Sequence, residues 1–233
     1  MMMPRAAVLA LLAAALPAAA LAQPGPAAQA QVYDPQPPPG SAYLRFVNAS
    51  GGPLALRPDF LPPQSLGAAP AERVTPYAVV ERVAGRTLSL DAAGGGATGR
   101  ASLKAEPGSY VTLLLHPGEA GGIAATPVVD RADFDRAKAR LAFYNAAPGC
   151  PAAALKLEAN GAAVFEQVAP GTARTRTVNP VSAALRAECD GQAATVALDG
   201  LEAGGTWSIL LIRPQGAAPS AFMLRDTTAR WRP

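Results

Sequence analysis

One histidine and two cysteines, with a scatter of aspartates, are what this chain offers for catalysis or metal binding. A Ser-His-Asp relay would have to use His116, which closes the apolar run 111–115 and is followed by Pro117. It would also need a serine raised on a sharp turn, and no Gly-x-Ser-x-Gly elbow occurs. The Gly-Asp-Ser opening and Asp-x-x-His ending of esterase-like hydrolases are missing as well. Gly94-Gly95-Gly96 is not followed by Lys-Ser/Thr, so it reads as a turn and not as a phosphate cradle. Asp130, Asp133 and Asp135 have a calcium-like spacing, but Arg131 and Arg136 interrupt them, no glycine turns the loop and no glutamate closes it. The expectation is a chain with no catalytic residue, no metal and no cofactor.

Cys150 and Cys189 have a different reading. Two thiolates alone do not complete a zinc set, and His116 lies in the other half of the chain. In an exported protein the simplest outcome is one disulfide, worth about 3–4 kcal/mol by loop entropy; two unpaired buried thiols are the competing state. Arg174 and Arg176 alternate with threonines, so both guanidinia leave one face of a strand. With Arg45, and with Tyr43 and Tyr144 as aromatic platforms, they could hold the carboxylates of an acidic polysaccharide through forked hydrogen bonds. Charged protection of a sheet edge explains the same arginines and stays open. Trp207 reads as core. Asn48-Ala49-Ser50 fits the glycosylation pattern, but the leader looks bacterial, and Asn48 reads as a side chain that ties down a turn.

The elements that carry these residues come twice. Leu44, Phe46 and Asn48 recur 97 positions later as Leu141, Phe143 and Asn145. Gly108-Ser109-Tyr110, with the apolar run before His116-Pro117, recurs as Gly205-Thr206-Trp207 before Arg213-Pro214. Short runs of alternating or continuous apolar residues, punctuated by Gly and Pro, predict strands at 43–48, 53–57, 74–83, 86–90, 100–104 and 110–115. Residues 58–72 hold four prolines and read as a surface loop. In 43–48, Arg45 is expected on the wetter face. In the second half strands are expected at 139–145, 154–158, 163–168, 172–178, 181–188, 193–198, 206–212 and 221–225, with Asn160-Gly161 as a hairpin turn. The fold class is all-β: two tandem antiparallel β-sandwich (Ig-like) domains from an internal duplication.

Arg5, the 11-residue apolar run 6–16 and Ala20-Leu21-Ala22 make residues 1–22 a signal peptide, cut after Ala22. The run is too short to span a bilayer. Residues 23–40 form a proline-rich extended arm, 41–127 the first sandwich, 128–138 a linker within the charged stretch 125–138, and 139–233 the second sandwich. The product is expected in the periplasm. The formal net charge is +3, or +2 once Arg5 is removed. No basic run interleaved with aromatics is present, which argues against nucleic acid as a partner.

Residues 32–49 (VYDPQPPPGSAYLRFVNA) resemble the AlgF family, the periplasmic accessory proteins of alginate O-acetylation. That family opens with a hydrophobic-Tyr-Gly/Asp-Pro-x-x-Pro pattern, then a strand with Arg and an Asn-Ala turn. Thr177-Val178-Asn179-Pro180-Val181, followed by Asp190-Gly191, is similar to a second family feature. Leader, length and two-domain layout agree. The loop 58–72 and the cysteine pair depart from the pattern and leave the polymer open between an alginate-like chain and an acetylated cellulose. The resemblance implies a non-catalytic partner of membrane-bound and periplasmic O-acetyltransferase components, with the polysaccharide itself as a further candidate ligand. A carbohydrate-binding β-sandwich unrelated to acetylation is the alternative from another class.

Overall fold

The structure is a computed structural model that describes residues 36–130, 135–214 and 217–232. The expected leader and most of the proline-rich arm lie outside the described residues, as do Arg131 and Asp133 of the connector.

In the first half, β1 (Ala42–Asn48), β4 (Ala78–Val80), β7 (Tyr110–Pro117) and β8 (Ile123–Asp130) form a sheet in the order β4-β1-β7-β8. Facing it is a sheet of β2 (Leu54–Pro58), β3 (Gln64–Leu66), β5 (Leu88–Gly94) and β6 (Ala97–Leu103), in the order β3-β2-β5-β6. The second half repeats the plan strand for strand. β9 (Ala139–Asn145), β12 (Thr172–Val178), β15 (Thr206–Ile212) and β16 (Ser220–Arg225) pair as β12-β9-β15-β16. β10 (Ala153–Leu157), β11 (Ala163–Val168), β13 (Ala183–Cys189) and β14 (Gln192–Leu198) pair as β11-β10-β13-β14. The chain is therefore all-β, two similar sandwiches in tandem. No α-helix occurs among the described residues. Pairing is antiparallel throughout except that β1 runs parallel to β7 and β9 parallel to β15.

Each sandwich closes on apolar side chains from its two facing sheets. Leu44, Phe46, Val111 and Leu113 meet Leu56, Leu88 and Leu90 in the first half. Leu141, Phe143 and Ile209 meet Leu155, Leu185 and Val196 in the second. A third core joins the halves: Val47, Leu114 and Val128 pack with Ala142, Tyr144, Leu210 and Phe222. These are the opposite faces of the β1 and β9 sheets, so the two sheets stack back to back. That is why all seven residues of β9 are buried. Strands buried on both faces lose the alternation that a half-exposed strand shows.

Two strands were not expected from the sequence, and the strand expected over 74–83 is only Ala78–Val80. Residues 64–66 form β3 inside the proline-rich stretch 58–72. Residues 123–130 form β8, an edge strand through what reads as the start of a solvated connector, so the first sheet extends past the expected boundary at 127 to Asp130. Pro127 lies within it opposite Leu113, a position that an edge strand tolerates because its missing N–H can face outward.

Backbone chemistry fixes the turns. Gly95 and Gly96 both have positive φ (58° and 81°) and make the two-residue turn between β5 and β6. At Gly99 the constraint is closeness: a Cβ there would sit 1.9 Å from the Ile123 carbonyl oxygen, so glycine lets β8 close over β6. Cys150, just before β10, is bonded to Cys189 at the end of neighbouring β13, with Cα atoms 5.6 Å apart.

Candidate functional site

Between the two back-to-back sheets lies a polar cluster built around Arg45. Alternation along β1 sends Leu44 and Phe46 into the first core, and Tyr43, Arg45 and Val47 to the opposite face. The wet face expected for Arg45 is instead covered by the second sandwich, and the residue is 1% exposed. A buried guanidinium is costly unless its donors are used. Here they are: Nε donates to Thr112 Oγ1 at 2.8 Å, Nη1 to Asp226 Oδ1 at 2.5 Å, and Nη2 to Tyr144 OH and Ser208 Oγ, both at 3.0 Å. The guanidinium carbon also sits 4.4 Å from the Tyr77 ring centroid and 5.4 Å from that of Tyr144.

Each hydroxyl that accepts from Arg45 passes a hydrogen bond on to a carboxylate. Ser208 donates to Asp226 Oδ1 at 2.7 Å. Thr112 donates to Asp130 Oδ2 at 2.7 Å, and Tyr144 donates to Asp130 Oδ1. Tyr77 adds a third donor to Asp130, at 2.8 Å. One carboxylate is thus matched by a cation and the other by three O–H groups.

The cluster is a product of the duplication, with one element unmatched. Sheet register sets Arg45 beside Thr112 and Ala142 beside Ser208. Thr112 and Ser208 are counterparts, and so are Asp130, paired with Tyr110, and Asp226, whose N–H bonds Thr206 O. Both halves therefore supply a hydroxyl–carboxylate pair, but the position of Arg45 is occupied by Ala142 in the second half. Sequence reasoning paired Tyr110 with Trp207; the strands align one residue differently. The recurrence of Thr112 with Asp130 as Ser208 with Asp226 was the available signal, and it was missed.

Burial, reinforced by the neighbouring carboxylates, pushes the Tyr77 and Tyr144 phenols well above their ordinary range, and Arg45 only partly offsets this. For Arg45, burial alone would depress the guanidinium; the surrounding phenols and carboxylates more than reverse it and hold it charged. A phenol raised in the folded state contributes stability that is complete below the unfolded value near 10 and is lost as pH rises beyond it. An alkaline titration followed at the tyrosinate ultraviolet band is expected to leave two phenols silent until the chain unfolds. Early, reversible ionisation of all the tyrosines would show that the cluster is open to water.

The other sequence candidates lie elsewhere. Tyr144, expected as a platform, is fully buried and serves the cluster, so neither it nor Arg45 is available to a polysaccharide. Tyr43 is half-buried and stacked on Tyr110, ring centroids 4.4 Å apart. Arg174 and Arg176 are exposed on β12, and Arg176 Nη1 donates to the Val164 carbonyl of β11 at 3.1 Å. His116 Nδ1 donates to Pro117 O at 3.0 Å, which leaves Nε2 to accept from Thr126 Oγ1 at 2.9 Å; one tautomer satisfies both. Among the described residues no group of three His, Cys, Asp or Glu side chains is placed to hold a metal.

No protein-family model matches the chain, and no curated protein is significantly similar to it.

Asn48 is fully buried, which closes it to glycosylation. Its Nδ2 donates to Gly52 O and Gly67 O, both at 2.8 Å, and its Oδ1 accepts from Ser50 N–H at 2.9 Å. Asn145 repeats the device, donating to Cys150 O at 2.8 Å and Val168 O at 2.9 Å while accepting from Ala147 N–H at 3.2 Å. Two further arginines were not anticipated as buried. Arg73 is 7% exposed, and its Nη1 donates to Asn48 O and Ser50 O, 2.8 and 2.9 Å away. Arg140 is 6% exposed, and its Nε and Nη2 have no hydrogen-bond partner among the described residues.

The segment after β16 straps the halves together. Tyr77 N–H donates to Thr227 O at 2.8 Å, Ala229 N–H donates to Tyr77 O at 2.7 Å, and Trp231 Nε1 reaches Glu81 Oε1 at 2.9 Å.

Proposed function

We propose that the chain is a non-catalytic, exported accessory protein of exopolysaccharide O-acetylation that bridges acetyltransferase components in the periplasm. The observation that carries this reading is the Arg45 cluster. It commits the buried ionisable groups at the centre of the protein to fastening one sandwich to the other, leaving strand edges and loops as the surfaces for other molecules. A bridging protein needs fixed spacing between such surfaces, and a desolvated charge network with a third apolar core supplies it. The resemblance of residues 32–49 to the AlgF family supplies the process.

The test is deletion of the protein from a polymer-producing bacterium, with the acetyl content of the exported polysaccharide measured. A fall in acetylation at unchanged polymer yield is expected; unchanged acetylation ends this reading.

A second reading, a carbohydrate-binding module unrelated to acetylation, draws on the exposed Arg174 and Arg176 beside a groove of about 490 Å³. Calorimetric binding of the purified chain to uronate or glucan oligomers, with no partner present, would favour it.

A further inference from the structure

We infer that the open edge of β12 is a docking site for an extended, acidic peptide segment of a partner protein, which adds to the β12 sheet as a further strand. This rests on the bridging role proposed above and names the chemistry of one partner contact.

β12 is the outermost strand of its sheet and pairs only with β9, over all seven residues from Thr172↔Asn145 to Val178↔Ala139. None of its residues is fully buried. Among the described residues, backbone groups of 173–178 form no backbone hydrogen bond except with β9. A straight edge of this length is a template for a further strand unless it is blunted. The edge runs along the groove of about 490 Å³, whose other walls are Val129 of β8 and Val164 and Phe165 of β11. Val129 is 71% exposed, the most exposed large apolar side chain among the described residues.

Charge selects the occupant. Arg174 and Arg176 both project from the edge strand. A second copy of β12 laid antiparallel about Thr175 would set Arg174 opposite Arg176, and like charges directly opposite oppose pairing. A strand with carboxylates at alternate positions would meet both guanidinia on the β11 side and turn its intervening side chains toward Val129 on the other. Asp130, the acid that also lines the groove, has both oxygens engaged by Tyr77, Thr112 and Tyr144. A peptide is favoured over a polysaccharide on two counts. The groove follows a row of unpaired strand N–H and C=O groups, which another strand satisfies in register. Its one aromatic ring, Phe165, is 7% exposed and offers a sugar no face to stack on.

The experiment is amide hydrogen exchange on the full chain with a synthetic peptide that alternates glutamate with valine over the length of β12. A lysine–valine peptide and an oligouronate of the same charge are the comparisons. The glutamate peptide is expected to slow exchange across 173–178 about tenfold at saturation, and the lysine peptide to have no effect. In the doubly substituted variant Arg174→Glu, Arg176→Glu, whose changes lie on exposed positions, the lysine peptide is expected to protect β12 instead. No slowing, equal slowing by both peptides, or protection by the oligouronate alone would each overturn the proposal. Such a result alongside lowered acetyl content in the deletion strain would remove this docking edge and leave the bridging role standing.

Discussion

Replacing Arg45 with alanine is expected to lower the free energy of unfolding by about 3–5 kcal/mol. The substitution strands a carboxylate, Asp226, and takes the donor away from three hydroxyls, those of Thr112, Tyr144 and Ser208, at the junction of the sandwiches. Most of the loss comes from groups left behind in a desolvated place, so removing the partner as well should recover much of it. The double variant Arg45→Met, Asp226→Leu is therefore expected to be more stable than Arg45→Ala, because it withdraws both charges and keeps the volume filled. Chemical denaturation gives both values. Two separate transitions in Arg45→Ala, against one in the parent, would identify the cluster as what makes the halves unfold together. A loss below about 1 kcal/mol would show that the junction is hydrated and the guanidinium is matched by water.

Asn145→Ala is expected to cost about 3 kcal/mol, and Asn48→Ala a comparable amount. At each site one amide serves three backbone groups within a turn, so truncation leaves the Cys150 and Val168 carbonyls and the Ala147 N–H, or their counterparts in the first half, without a partner. Asn145→Asp separates hydrogen bonding from size: it keeps the acceptor for Ala147 but loses both donors, and it should be nearly as damaging as alanine. If it behaves as the parent does, the donated bonds carry little. Thermal melts of the three variants decide this.

Much of the strand plan could be read from residues because turn chemistry and short apolar runs are local. The Asn160-Gly161 hairpin and the Asn48 turn follow from what lies within a few positions, and the pairing of Cys150 with Cys189, 39 residues apart, from there being two cysteines. β8 escaped because Pro127 and its neighbouring charges resemble a linker, and only pairing with β7 makes them a strand. Arg45 escaped for a different reason. An arginine alternating with leucine and phenylalanine signals a face exposed to water when one sheet pair is considered alone, and a second sandwich pressed against that face leaves no mark on β1. The mark is spread over Thr112, Asp130, Tyr144, Ser208 and Asp226, which come together only in three dimensions. Arg174 and Arg176 read correctly as exposed, projecting side chains on an edge strand.

The unmatched half of the duplication bears on how the protein matures. Arg45 and Asp226 stand 181 positions apart, so a chain made amino-terminus first presents the cation long before its counter-ion. Until β9, β15 and the residues after β16 arrive, the first half offers Arg45 only Thr112, the Tyr77 ring and nearby Asp130, and its Nη1 and Nη2 lack the partners Asp226, Tyr144 and Ser208. Contacts this distant in sequence form late. A molecule truncated ahead of Asp226 leaves Arg45 without its counter-ion, and added protease is expected to cleave it faster than the full chain.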